Sequence, residues 1–479
     1  MRDLLKAIVK TGSGSLATVL FGMATVKLIA WHLGPEALGS FSLTRQIVLA
    51  GSALFITGGQ TALVQGISSR VGKDRDEFTS TCFILLSGGS LALGAIFFLL
   101  NAVIGRVLFP GLGAAIPIAA IAIATSGPMA SVFGALNATK RIGRLAIAQA
   151  LNAAALAAAV SLMLPVLRSD RPIWFAVVLA ASQFPGLLLG AFFLWRDHSL
   201  RLSLQLSSAA ATKFAKFAFA TVTAAALQSW TVLGIRSSVA THLGLGSAGV
   251  FDAGWSISMV YVMLILGSFS TYYLPTLASA NTSSSRLMND VLHTTLLLVV
   301  PLIALVMGLR PLVLVVLYSR EFLTASSMMH WMLIGDFFKV LSFVLAVPML
   351  ARADLRAFLA GEIGWNLVML IGSRIALSRG LGIEALGIVF AVSYAAYFIY
   401  ALVYCARVLR WYWPRDLVVE LLSALVVLAI VSKVTWSVRE LTWTPTVGCF
   451  LAAIAQVVLV LRRRSETESR PALLAEAKA

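Results

Sequence analysis

Charged side chains inside apolar segments are the residues of this chain that could do chemistry. Seven basic and three acidic residues fall within or at the edges of such segments: Lys27, Arg45, Arg236, Arg310, Lys339, Arg374 and Lys433, with Asp252, Asp336 and Glu362. A charge at bilayer depth costs ~2.5 kcal/mol or more, so each should face a cavity or a partner. Long side chains near a span end can instead extend to the interface, which we expect of Arg310, Arg374 and Lys433.

Four of these residues predict a binding site for an anion. Lys27, Arg45 and Arg236 flank two similar hairpins of the chain, and Asp252 lies on the segment that follows Arg236. If these segments line one cleft, the four side chains form a chamber with a basic excess. Guanidinium and ammonium groups are the natural partners of phosphate. We therefore predict that they bind the substrate, while a structural role stays open for each.

Three further residues could serve energy coupling or pair within the cleft. Asp336 and Lys339 are three residues apart, so they share one face of a helix and can neutralise each other. A purely structural pair fits that spacing equally well. Glu362 either faces Lys339 or takes up a proton. It has no basic residue at helical spacing in its own span, which favours Glu362 as the proton-coupling site.

The elements that position these residues are apolar segments long enough to cross a bilayer. The chain is 59% hydrophobic and 12% charged, and a hydrocarbon core ~30 Å thick requires roughly 20 apolar residues per helix. We predict an all-α polytopic membrane protein with about 14 transmembrane helices, at residues 12–31, 41–64, 81–105, 115–136, 145–167, 173–195, 214–235, 250–275, 291–309, 328–350, 357–378, 385–406, 417–436 and 443–461.

The distribution of basic residues predicts the orientation of these spans. With the N-terminus inside, cytoplasmic segments hold 24 Lys and Arg residues and the opposite loops hold six. The positive-inside rule therefore predicts an even number of spans and two cytoplasmic termini. The formal net charge of +17 is dispersed over loop ends, so orientation accounts for it and no nucleic-acid partner is expected.

The loops and motifs argue against covalent chemistry. The outer loops have roughly 5–18 residues, too few for the outer catalytic domain expected of a membrane glycan polymerase or ligase. Walker, HExxH and Ser/His/Asp patterns are absent from the sequence. The three cysteines and five histidines are scattered, which predicts no metal site and no cofactor. Transport, without enzyme activity, is the predicted function.

An internal repeat predicts the arrangement of the spans. His32–Phe41 and His242–Phe251 match at five of ten positions with an offset of 210 residues. An offset of six spans keeps both copies in one orientation, which indicates two six-helix lobes related by a parallel pseudo-two-fold axis with a site between them. The predicted domains are residues 1–200 and 201–410, two additional helices at 411–461, and a cytoplasmic tail at 462–479.

Three segments of the chain resemble Wzx-type flippases of the multidrug/oligosaccharidyl-lipid/polysaccharide exporter superfamily. They are Leu33–Gly39 leading to Arg45-Gln46, Tyr273–Leu277, and Trp331–Val340 with its Gly-Asp-x-x-Lys pattern. The resemblance covers about residues 1–410 and is nearest to the O-antigen and enterobacterial common antigen translocases. It implies a V of two six-helix lobes that opens alternately to each side of a bacterial inner membrane. Those branches typically have twelve spans, so the last two helices depart from the pattern.

The substrate implied by this resemblance is an undecaprenyl-pyrophosphate-linked oligosaccharide, flipped for O-antigen or exopolysaccharide assembly. Membrane lipids and other polysaccharide assembly proteins are the further candidate partners. A cation-coupled multidrug exporter of the same superfamily is the nearest alternative, but spans 1–6 lack the interior carboxylates that it would require. Alternatives from other classes are a membrane glycan polymerase or ligase and a non-transporting scaffold, whose buried charges should pair without a basic excess.

Overall fold

A computed structural model describes residues 2–68, 70, 72–107, 112–197, 206–279, 284–352 and 354–436, with the single residues 448, 451, 454 and 458. Helices and short turns make up this part of the chain. Ten of its helices are long and apolar enough to cross a membrane. Large apolar side chains such as Leu99, Leu162 and Leu188 stand exposed on their surfaces, as expected where a helix faces lipid. The predicted fold class, an all-α polytopic membrane protein, is confirmed.

Apart from a 3₁₀ turn at Gly113–Ala115, the described part of the N-terminal half contains nine helical elements. They are α1 (Arg2–Ala53), a π-helical stretch (Leu54–Gly59), α2 (Gln60–Ser68), α3 (Gly72–Leu99), α4 (Asn101–Val107), α5 (Ile116–Ala138), α6 (Ile142–Met163), α7 (Pro172–Ala181) and α8 (Gln183–Asp197).

The C-terminal half continues with six longer helices. They are α9 (Ser208–Ser279), α10 (Ser284–Leu317), α11 (Ala325–Ala351), α12 (Leu355–Ser378), α13 (Glu384–Val408) and α14 (Arg415–Thr435). α14 matches the predicted thirteenth span. The predicted fourteenth span, except for its four single residues, and the predicted tail lie outside the described residues.

At two places where the sequence predicted a loop, the structure has a break at a single glycine. α1 holds spans 1 and 2 and α9 holds spans 7 and 8, and each is interrupted at a single residue. Gly34 has φ 76° and Gly244 has φ 86°, a left-handed region that disfavours side chains with a Cβ. The two spans of each pair therefore turn sharply at one glycine.

The chain forms two compact units. The first comprises Met1–Asp252 with Leu317–Ser319, and the second comprises Ala253–Val316 with Arg320–Ala479. In the first unit α5 buries many small residues, including Ala119, Ala120 and Ala122, as is typical of closely packed membrane helices. In the second unit α11 is the central helix, because most of its side chains are buried. The predicted lobe boundaries stay predictions.

Candidate substrate-binding site

The internal repeat is visible in the backbone of the first unit. Gly34 and Gly244, the left-handed glycines that interrupt α1 and α9, are 210 residues apart. His32 Nδ1 lies 3.0 Å from the carbonyl oxygen of Leu28, and His242 Nδ1 lies 2.9 Å from that of Ser238. Equivalent residues of the two hairpins thus adopt equivalent conformations, which supports the duplication.

The two hairpins contact each other through a second pair of equivalent glycines. A Cβ at Gly39 would lie 2.0 Å from the carbonyl oxygen of Leu245, and a Cβ at Gly249 would lie 2.1 Å from that of Pro35. Gly39 corresponds to Gly249 and Pro35 to Leu245, because each pair of positions differs by 210 residues. The contact is therefore reciprocal, as a pseudo-two-fold axis requires. Any side chain at either glycine would force the two backbones apart.

A charged cluster lies just beyond this glycine contact. Asp252, three residues after Gly249, is fully buried and forms an ion pair with the buried Arg236. Arg45 Nη2 lies 3.5 Å from Asp252 Oδ2, on the other side of the same carboxylate. The structure therefore brings Arg45, Arg236 and Asp252 together, although they come from α1 and α9.

The cluster of Arg45, Arg236 and Asp252 has a net charge of +1. Two guanidinium groups share one carboxylate, and Nε of both Arg45 and Arg236 is buried without a hydrogen-bond acceptor among the described residues. The side chain of Arg45 is 28% exposed, whereas that of Asp252 is inaccessible. Arg45 can therefore reach an anion, while Asp252 and Arg236 hold the charges in position.

Gln46 belongs to this cluster and was missed by sequence reasoning. Its side-chain oxygen accepts a hydrogen bond from Arg236, and its Nε2 donates to the carbonyl oxygen of Ser229 at 3.0 Å. The amide thus fixes the guanidinium of Arg236 to the backbone of α9. The sequence places an amide side chain within a predicted span directly after Arg45. Sequence alone does not distinguish such an amide from one that makes an ordinary polar contact.

Lys27, the fourth predicted binding residue, lies elsewhere on α1. It is half-buried, and its ammonium group lies 5.6 Å from the ring centre of Trp31, one turn further along the helix. A cation can pack in this way on an aromatic face. Contact of Lys27 with the substrate stays a prediction.

Asp336 and Lys339 form an ion pair within the second unit. Lys339 Nζ lies 3.9 Å from Asp336 Oδ1, and both side chains are buried. Ser258 Oγ donates a hydrogen bond to Asp336 Oδ2 at 2.7 Å. The hydroxyl of Tyr261 donates to the same oxygen at 2.6 Å. The helical spacing thus produces a pair, and two hydroxyl groups of α9 support it.

Glu362 receives its hydrogen bonds from neutral donors. Trp365 Nε1 donates to Oε2 at 2.9 Å, and the hydroxyl of Tyr397 donates to Oε1 at 3.1 Å. These contacts differ from the expected alternative in which Glu362 faces Lys339. The described residues contain no group of three His, Cys, Asp or Glu side chains able to hold a metal ion.

The prediction that Arg310 extends to the membrane interface is wrong. Arg310 is 2% exposed; it hydrogen-bonds to His330 and donates to the carbonyl oxygen of Thr435 at 2.7 Å. Its partners on α11 and α14 accept hydrogen bonds from the guanidinium group inside the protein. Lys433 lines a cavity of about 550 Å³ between α11 and α14, and Arg374 is exposed as expected.

Comparisons with known proteins identify a family and a curated relative. Residues 28–327 match the model of a family described as polysaccharide biosynthesis protein. The lipid III flippase of Escherichia coli (strain K12) is 25% identical over 436 residues, which are 85% of this chain and 99% of that protein.

Solved structures share the fold. The lipid II flippase MurJ in an inward closed conformation has a TM-score of 0.75 at 15% identity, covering 97% of this chain and 100% of that one. An inward-facing multidrug resistance MATE family transporter has a TM-score of 0.69 at 16% identity, covering 83% and 97%.

Proposed function

Because this chain belongs to the polysaccharide biosynthesis protein family, we propose that it is a flippase for undecaprenyl-pyrophosphate-linked oligosaccharide repeat units. It translocates them across the cytoplasmic membrane by alternating access, for O-antigen or exopolysaccharide assembly. The observation that carries the proposal is the cluster of Arg45, Arg236 and Asp252, with its excess positive charge and one partly exposed guanidinium. The likeness to a lipid III flippase supports it.

The cluster suggests how a pyrophosphate is held. Arg45 makes only a long contact with Asp252, at 3.5 Å, so its planar group can turn toward phosphate oxygens and bind two of them at once. Arg236 stays on Asp252 and Gln46 and adds positive potential from a water-poor site, where electrostatic interactions are stronger than in water. The prenyl chain remains in the bilayer, and the sugars occupy polar space near the cluster.

The same cluster disfavours the multidrug exporter. A cationic drug or a coupling cation would require an accessible carboxylate, whereas Asp252 is inaccessible and paired with two arginines. The similarity to MATE transporters concerns the fold. A polymerase or ligase gains no support from relatives that are flippases by name.

Transport itself is the experiment that tests the proposal. Expression in a strain lacking its O-antigen flippase is expected to restore surface polysaccharide. Purified protein in liposomes is expected to carry a fluorescent prenyl-pyrophosphate oligosaccharide between leaflets. Export of cationic dyes from cells without any effect on polysaccharide would contradict the proposal and favour the multidrug exporter.

We also propose that both termini face the cytoplasm of a bacterial cell and that the protein spans its inner membrane. The charge bias of 24 to six supports this orientation. Alkaline phosphatase fused after Ala479 is expected to be inactive and green fluorescent protein at the same site fluorescent. The reverse pattern would contradict a cytoplasmic C-terminus. Other polysaccharide assembly proteins remain proposed partners, which co-purification from membranes tests.

Glu362 is the proposed proton-coupling residue. Its carboxylate is held by two neutral donors, Trp365 and Tyr397, both of which can also stay bonded to a protonated carboxyl group. We expect a pH gradient to accelerate transport by the parent protein in liposomes and to have no effect on Glu362→Gln. Equal acceleration of both proteins would reduce Glu362 to a structural partner.

A further inference from the structure

Asp336 is a buried carboxylate that accepts hydrogen bonds from two hydroxyl groups. It is fully buried on α11, and Ser258 and Tyr261 each donate their hydroxyl proton to it. Each hydroxyl oxygen keeps lone pairs after donating. Carboxylate and hydroxyl oxygens are the ligands that hard cations such as Na⁺ prefer. A buried, ionised carboxylate is stabilised by a positive charge beside it.

The positive charge beside Asp336 comes from Lys339, one helical turn further along α11. The ammonium group of Lys339 lies 3.9 Å from Asp336 Oδ1 and 3.1 Å from the sulfur of Met259. It also lies 5.5 Å from the ring centre of Tyr394 and 5.8 Å from that of Phe390.

These neighbours differ from those of an ordinary lysine. A sulfur atom and two ring faces stabilise a cation only weakly, and Lys339 is 6% exposed. Its main compensation is therefore the charge of Asp336, and the pair is neutral as a whole. Removing one partner of such a pair leaves a buried charge alone, whereas removing both does not.

We propose that the ammonium group of Lys339 occupies a site for a monovalent cation, so that the second unit carries its own counter-ion and binds no Na⁺ at Asp336. Shortening Lys339 leaves a space beside Asp336 Oδ1, the sulfur of Met259 and the ring of Tyr394. A free Na⁺ ion then takes the place of the ammonium group. If the transport proposed above is coupled to Na⁺, the coupling ion binds at a site other than Asp336.

Thermal unfolding of the purified full-length protein in detergent tests the proposal without substrate, so its outcome is independent of the transport assay. Melting temperatures are measured in NaCl and in choline chloride at equal ionic strength. The parent and Lys339→Arg, which keeps the charge, are expected to melt alike in both salts. Lys339→Ala is expected to melt roughly 3 °C or more higher in NaCl. Lys339→Ala combined with Asp336→Asn is expected to lose that response.

Two results would overturn the proposal. One is a parent protein that NaCl stabilises and whose response disappears in Asp336→Asn, because the ion would then bind beside Lys339. The other is a Lys339→Ala protein without any response to Na⁺. If this variant does not survive purification in choline chloride, its yield of folded protein in NaCl decides: recovery supports the site, and failure in both salts contradicts it.

Discussion

Arg45→Ala is expected to reduce transport of the prenyl-pyrophosphate oligosaccharide by roughly ten- to a hundredfold, because it removes the exposed guanidinium of the cluster. Hydrogen bonds to a charged group contribute about 1.5–3 kcal/mol, which corresponds to that range. Asp252 keeps its buried partner Arg236, so the melting temperature should change little. Initial rates in liposomes, together with thermal unfolding of the same preparation, measure both quantities.

Arg236→Ala provides the contrast that separates binding from structure. It leaves the buried Asp252 with only the long contact to Arg45, and breaking a buried pair costs about 3–5 kcal/mol. Both transport and the free energy of unfolding should therefore fall.

Arg374→Ala serves as the matched control, since Arg374 is exposed on α12 and both measurements should stay unchanged. Full transport by Arg45→Ala would show that the cluster does not bind the substrate.

Gly39→Ala is expected to reduce transport roughly 5- to 150-fold by disfavouring the contact between the two hairpins. The added methyl group would lie 2.0 Å from the carbonyl oxygen of Leu245, and the equivalent change Gly249→Ala would meet that of Pro35 at 2.1 Å. Backbone atoms cannot move aside as a flexible side chain can, so each methyl group costs about 1–3 kcal/mol in the closed arrangement. The arrangement in which the two hairpins are apart is then favoured, and alternating access slows.

Labelling from outside the cell measures this opening. A cysteine in place of Ser42, which is fully buried one turn after Gly39, in a background without Cys82, Cys405 and Cys449, should react faster with an impermeant maleimide when Gly39→Ala is present. Gly22→Ala is the matched control, because nothing lies within 4 Å of a Cβ at Gly22 on the same helix. Normal transport and unchanged labelling in Gly39→Ala would refute a role of the glycine contact in closure.

The amino-acid sequence alone determined the class of protein, most helices and several local features. Lipid requires long apolar helices with satisfied backbones, so the spans could be read from composition and length. The matching hairpins around Gly34 and Gly244 were recognisable because a duplicated turn preserves the glycine that its backbone requires. The pair of Asp336 and Lys339 followed from helical periodicity, since residues three apart share a face.

Tertiary structure decided which charges meet. Asp252 pairs with Arg45 and Arg236, and Gln46 joins them, through contacts between α1 and α9. Arg310 is buried against His330 and Thr435 instead of extending to the interface. Helical periodicity places residues relative to their own helix only; the rotation and depth of each helix against its neighbours come from side-chain packing over the whole unit.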